Sequence, residues 1–199
     1  MILSLLLSCD KGAGEFIICG EVSDDTFNQS LIGANISIYK VPVASSSEQY
    51  ISSQTIGSDG KYRFIVPRER MEKYIIRVTK SNYFPIEKTI YFSALKLKVE
   101  NTYNLSTWAK SWVELKFMNQ NPQIQDHLAY IKQAGDTACL ECCPSTEQHL
   151  YGAIDTSIFC INKGNTLYSI LYWVMNTTNQ GYLETTTTAF DTTQIYLNY

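Results

Sequence analysis

The densest run of reactive side chains in the chain is Cys139-Leu140-Glu141-Cys142-Cys143, with His149 following in the same polar stretch, His127 upstream and Cys160 downstream. Two cysteines separated by two residues can grip zinc as thiolates, and Cys160, His149 or His127 can complete the ligand set. A structural zinc site ordinarily draws on a second closely spaced pair, which the sequence lacks. In an oxidising compartment the same residues cross-link instead, and a disulfide to Cys160 pins an otherwise floppy excursion over residues 135–149. The expectation is therefore a disulfide among Cys139, Cys142, Cys143 and Cys160, with free thiols and a metal site as the alternatives. Catalysis finds less support. The chain has two histidines and no G-x-S-x-G, H-E-x-x-H or glycine-rich phosphate loop. Cys143 and His149 can imitate a thiol–imidazole pair but have no recognisable third partner. No catalytic residue, metal or cofactor is assigned, and a non-enzyme is expected. A metal-binding or thiol-dependent enzyme centred on the Cys139–His149 loop is the alternative. Cys19 lies in an apolar run and reads as a small core residue.

Cys9 stands apart. Residues 1–8 are apolar or small, yet a membrane-spanning helix needs about 20 apolar residues. The run fits the end of a secretory signal, and Asp10 to Glu15 reads as a polar tether. Leu6-Leu7-Ser8-Cys9 resembles a bacterial lipobox, the Leu-x-small-Cys pattern cut just before the cysteine. The resemblance implies that Cys9 becomes the lipidated first residue of the mature protein, held to a bilayer by more than one acyl chain. No Lys or Arg precedes the run, and it is short for a signal, which leaves a start upstream of Met1 open. The plainer alternative is a buried strand with an inert thiol. With Cys9 lipidated, five of the six cysteines remain, so at least one thiol is unpaired.

The segments that carry these residues read as strands. Tyr, Phe, Ile, Val and Thr are plentiful, and sustained helical periodicity is hard to find. Residues 1–104 carry 12 Lys/Arg against 11 Asp/Glu, and residues 105–199 carry 4 against 8, which suggests two units with separate surfaces. Neither half has a basic patch interleaved with aromatics, so nucleic acid is not an expected partner. In the first half the runs 16–24, 31–41, 50–58, 61–67, 73–80, 86–93 and 94–100 alternate as strands. Ser58-Asp59-Gly60 makes a turn, and the runs on either side of it are expected to pair as a hairpin, with Tyr62, Phe64 and Val66 on one face. Short strands at this spacing predict an antiparallel β-sandwich. In the second half the runs 109–121, 151–162, 165–176, 182–190 and 192–199, with a strand or short helix over 124–133, predict another. Trp108, Trp112, Trp173 and the tyrosines can stack on sugar rings or simply fill cores.

Particular landmarks resemble a known family. Gly20-Glu21-Val22, then Leu31-Ile32-Gly33-Ala34-Asn35-Ile36, then Thr55 with Ser58-Asp59-Gly60-Lys61-Tyr62-Arg63-Phe64, are similar to the carboxypeptidase-regulatory-like domain. Asn82 stands before Tyr83, and Lys73 before Tyr74, where that family often has Gly. The resemblance implies a transthyretin-like (prealbumin-like, Ig-like) sandwich and non-catalytic service as an accessory or stalk. Trp112 to Phe117, Asn121-Pro122, Asp155-Thr156, Gly164-Asn165 and Asp191-Thr192-Thr193 resemble the region that follows such domains in Bacteroidota-type lipoproteins. That likeness implies architecture and location only. Asp136-Thr137-Ala138 and Asp191-Thr192-Thr193 also resemble O-glycosylation acceptors of that bacterial group.

The expected protein is all-β: a signal end, lipidated Cys9 and tether over 1–15, a regulatory-like sandwich over 16–104 and a C-terminal antiparallel sandwich over 105–199. Its expected function is that of a non-enzymatic outer-membrane lipoprotein, on the periplasmic face or the cell surface, presenting its sandwiches for binding or assembly. The expected partners are the membrane, through the lipid anchor, and envelope proteins or glycans.

Overall fold

The computed structural model describes residues 14–199; the leader, Cys9 and most of the tether lie outside the described residues. The chain divides into two compact units. Unit 1 holds the residues up to Asp24 with Asn28–Ser81 and Pro85–Thr107, and unit 2 holds Asp25–Phe27, Asn82–Phe84 and Trp108–Tyr199. Among the described residues no helix is long and apolar enough to cross a membrane.

Unit 1 comprises β1 (Glu15–Asp24), β2 (Gln29–Ser30), β3 (Asn35–Pro42), β4 (Gln49–Thr55), β5 (Lys61–Pro67), β6 (Met71–Thr79), β7 (Ile86–Tyr91), β8 (Glu100–Thr102) and β9 (Leu105–Thr107). One sheet is centred on β1, which pairs antiparallel with β2 and β5 and parallel with β8 and β9. The other runs β4-β3-β6-β7, antiparallel throughout. Side-chain alternation decides what is inside. Phe16, Ile18 and Val22 of β1, Tyr62, Phe64 and Val66 of β5, Ile36 and Ile38 of β3, and Tyr74, Ile76 and Val78 of β6 are all buried. Two sheets burying such rows form a β-sandwich.

Two expectations change here. β4 and β5 do not form a hairpin: β4 joins β3 in one sheet and β5 joins β1 in the other. Gly60 takes the expected left-handed conformation, φ +73°, and its amide donates to the Gly57 carbonyl at 3.1 Å. The residue before this turn, Ile56, is buried and exchanges backbone bonds with Ala34 and Gly33, so the chain is drawn across from one layer to the other. Residues 94–100 do not form a strand either. Phe92–Ala94 is a short 3-10 turn, and the following loop closes on the Asn101 side chain, which accepts from the Lys96 amide at 2.8 Å and donates to the Lys96 and Ile17 carbonyls at 2.9 and 3.0 Å. Local bonds of this kind compete with a sheet ladder. Between β8 and β9 the Tyr103 backbone crosses β1 at Gly20, where a Cβ would lie 2.1 Å from the Tyr103 carbonyl oxygen; only glycine fits.

Unit 2 comprises β10 (Lys110–Met118), β11 (His127–Ala134), β12 (Gln148–Tyr151), β13 (Asp155–Lys163), β14 (Leu167–Val174), β15 (Gln180–Thr186) and β16 (Thr192–Asn198). The segment left open between strand and helix is the strand β11. One sheet runs β13-β10-β16, with β16 parallel to β10, and the other β12-β11-β14-β15, antiparallel. Val113, Leu115 and Phe117 of β10, Ile195 and Leu197 of β16, Leu128 and Tyr130 of β11, and Tyr168 and Ile170 of β14 meet in one core. The protein is thus all-β and built of sandwiches, as expected. The parallel places of β8, β9 and β16 are additions that local patterns do not announce.

Candidate binding surface of unit 2

The cysteine-rich loop is closed by two cross-links. Cys139 joins Cys142 across the short 3-10 turn Leu140–Cys142, and Cys143 joins Cys160 on β13, with Cα separations of 5.1 and 5.3 Å. As disulfides these four sulfurs are neither zinc thiolates nor nucleophiles. Cys19 is free but is not a core residue. Ile18 takes the inward position of β1, so Cys19 falls on the other face, half-buried across from Arg63 and 3.8 Å from the Thr102 hydroxyl.

Sequence reading missed Lys132. It follows Leu128 and Tyr130 on the inward row of β11 and is 5% exposed. Its ammonium donates to the carbonyls of Asp136, Cys142 and Cys143 at 2.5, 2.7 and 2.6 Å, three donors meeting three acceptors. Burial lowers its pKa, with Asp136 acting in the opposite sense. The same bonds hold Cys143 at φ +55°, a conformation that a side-chain-bearing residue seldom adopts. The loop is a fixed cap. The one signal available was a charged residue in an otherwise apolar row.

The opposite face of that sheet is open. Register places His149 across from Ala129, Ala129 from Trp173 and Trp173 from Gln180; it also places Ile131 across from Leu171 and Leu171 from Tyr182. Directly opposed residues share a face. The result is a row of apolar and aromatic side chains, with Tyr182 49% exposed and Tyr151 65%. Between β14 and β15 it opens into a shallow cavity of about 380 Å³ lined by Leu171, Tyr172, Trp173, Gln180, Gly181 and Tyr182. Two large rings beside an amide and the Tyr182 hydroxyl offer stacking together with hydrogen bonding. Of the other tryptophans, Trp108 lies under the Lys163 ammonium at 5.7 Å, and Trp112 sits on β10 in the other sheet.

Two sequence-proposed ligands come together on the same sheet. His127 Nε2 lies 2.8 Å from His149 Nδ1, the Tyr151 ring stacks on His127 at 4.2 Å, and Glu147 lies 3.3 Å from His149 Nε2. Unit 1 has a larger cavity, about 620 Å³, beside Cys19. Its charged walls are already paired, Lys61 with Glu21 at 3.9 Å and Arg63 with Glu100 at 3.6 Å. The Tyr62 hydroxyl there donates to the Tyr103 carbonyl at 2.6 Å, and burial pushes its pKa well above the usual phenol range.

No family model matches the chain, and no curated protein matches it. Among solved structures it is similar to the TIE protein of Bacillus anthracis, at 11% identity over 93% of this chain and 34% of that one, with a TM-score of 0.41. It is similar to the shaft pilin SpaA of Lactobacillus rhamnosus GG, at 8% identity over 93% and 97% of the two chains, TM-score 0.37. A like degree of similarity, 14% identity and TM-score 0.34, links 49% of the chain to 61% of the 3-chlorocatechol 1,2-dioxygenase of Rhodococcus opacus. The chain spans about a third of the first of these proteins and less than two thirds of the dioxygenase. Resemblance this remote carries no functional argument.

Proposed function

We propose that this protein is a non-catalytic binding module of a bacterial cell envelope, lipid-anchored through Cys9 in the outer membrane, which recognises a neutral glycan with the open face of unit 2. The observation that supports this reading is the Trp173 and Tyr182 cavity, an aromatic pair beside the Gln180 amide. Sugar rings present apolar C–H faces edged by hydroxyls. Aromatic faces with a few placed amide and hydroxyl groups are their chemical complement. The rigid sandwich holds these side chains on strands, so little freedom is lost when a ligand docks. The anchor rests on the lipobox resemblance of Leu6 to Cys9.

Screening the full chain against immobilised neutral and acidic glycans tests the binding surface. A neutral hit that Trp173→Ala and Tyr182→Ala each weaken by roughly ten-fold, with circular dichroism unchanged, is the expected outcome. Absence of any glycan hit, or a hit indifferent to both variants, overturns it. Labelling with an alkyne fatty acid in a bacterial host tests the anchor: Cys9→Ala is expected to abolish incorporation.

A further inference from the structure

His127 and His149 are used by neither the disulfide loop nor the Trp173 cavity. Antiparallel pairing of β11 with β12 sets His127 opposite Tyr151 and Ala129 opposite His149, so the imidazoles meet on the diagonal of one sheet face. Glu147 at 3.3 Å favours the proton on His149 Nε2, which leaves His149 Nδ1 bare and facing His127 Nε2 at 2.8 Å. The Tyr151 ring, stacked at 4.2 Å and 23°, restrains the His127 ring.

This is the arrangement that imidazole–metal chemistry asks for. Metal-bound histidines characteristically give their second ring N–H to a carboxylate, which fixes tautomer and orientation, and Glu147 is in that place for His149. Two nitrogens bound about 2.0–2.1 Å from one ion lie about 2.8–3.0 Å apart at a right angle and about 3.3–3.4 Å apart at the tetrahedral angle. The observed 2.8 Å lies at the short, right-angle limit of that span, so a tetrahedral ion needs the rings to part by about 0.5 Å. Binding moves the His127 proton from Nε2 to Nδ1, freeing the second lone pair with no net loss of a proton. Among the described residues no group of three or more His, Cys, Asp or Glu side chains is placed to hold one ion, so the remaining coordination positions belong to water or to a partner's ligand. Imidazole nitrogens select zinc, nickel and copper over the hard cations calcium and magnesium.

We infer that His127 and His149 form an open, two-imidazole site for a divalent late transition-metal ion, with Glu147 as its positioning residue. The inference is independent of the glycan reading, since the Trp173 cavity supplies none of these groups.

The test is calorimetric titration of the tag-free full chain with Zn²⁺, Ni²⁺ and Cu²⁺, with Ca²⁺ as a control. At least one of the three late transition metals is expected to bind at one equivalent while Ca²⁺ does not. His127→Gln and His149→Gln are each expected to weaken binding at least ten-fold, and Glu147→Gln roughly ten-fold. Nitrogen-15 spectra of the imidazoles report the ligands directly, and the His127 Nε2 and His149 Nδ1 resonances are expected to shift on saturation. Binding that survives in the His127→Gln/His149→Gln double variant, or no binding by the natural chain, overturns the proposal. Unchanged circular dichroism of the variants separates either result from misfolding.

Discussion

In unit 1 the loop after β7 closes around Asn101, whose side-chain amide takes one backbone N–H and gives bonds to the carbonyls of Ile17, Lys96 and Val99. In unit 2 the loop after β11 closes around Lys132, whose ammonium is bonded to three carbonyls. Both side chains are buried. The amide is neutral and loses far less by leaving water than the ammonium, whose large hydration energy only tightly placed acceptors offset. Acceptors stay in place when their backbone cannot drift, and two disulfides flank Lys132, one of them fastening Cys143 to β13. A charged staple needs a rigid frame, while a neutral one can hold a loop unaided.

The largest expected effect comes from removing the charge. Lys132→Met strands three carbonyls and should cost unit 2 about 4 kcal/mol, whereas Asn101→Ala should cost unit 1 about 2 kcal/mol. Trp108, Trp112 and Trp173 all lie in unit 2, so urea unfolding followed by tryptophan fluorescence reports that unit, and far-UV circular dichroism reports both. A greater loss in Asn101→Ala breaks the comparison.

Next in size is the frame. Cys143 and Cys160 are 17 residues apart and Cys139 and Cys142 only 3. Loop-closure entropy then predicts a loss of about 3 kcal/mol for Cys143→Ala/Cys160→Ala and about half that for Cys139→Ala/Cys142→Ala. Equal losses in the same urea titration would show that the short bridge acts on Lys132 rather than on the unfolded chain.

The smallest effect is a pH dependence. Burial, assisted by Glu69, pushes the Tyr74 phenol of unit 1 up to about 12. An unfolded tyrosine ionises near pH 10, so the folded state holds its proton longer. The resulting stability is complete below about pH 10 and is lost as pH climbs toward 12, roughly 2 kcal/mol in all. Tyr74→Phe, which also forfeits the 3.2 Å bond to the Pro67 carbonyl, should lower stability at neutral pH and flatten its alkaline decline. Lys132, with its pKa lowered, contributes in the opposite sense: its burial cost fades as pH rises toward the unfolded lysine value.

Strand faces were legible where alternation was clean. Tyr62, Phe64 and Val66 are buried while Lys61, Arg63 and Ile65 are exposed, because a pleat turns successive side chains to opposite sides whatever the rest of the chain does. Asn82, standing where a related pattern carries Gly, takes φ +62°, a conformation its short amide tolerates. The run Ala94 to Glu100 misled for the same local reason: its alternation is real, but Asn101 offers the backbone nearer partners. Of the candidate surface, the aromatic residues and both histidines could be named, and their grouping could not.

Local sequence suffices to say that this chain makes β-sandwiches, which side its cleanly alternating strands show to the core, and which cysteines were available to cross-link its polar loop. Those properties depend on neighbours within a few residues. The tertiary structure alone decided that β4 and β5 belong to different sheets, that β16 lies parallel to β10 some 80 residues away, that Lys132 turns inward, and that His127 meets His149 at 2.8 Å. Each of these depends on which distant strand supplies the next row of hydrogen bonds, and that choice is made by the packing of the whole core.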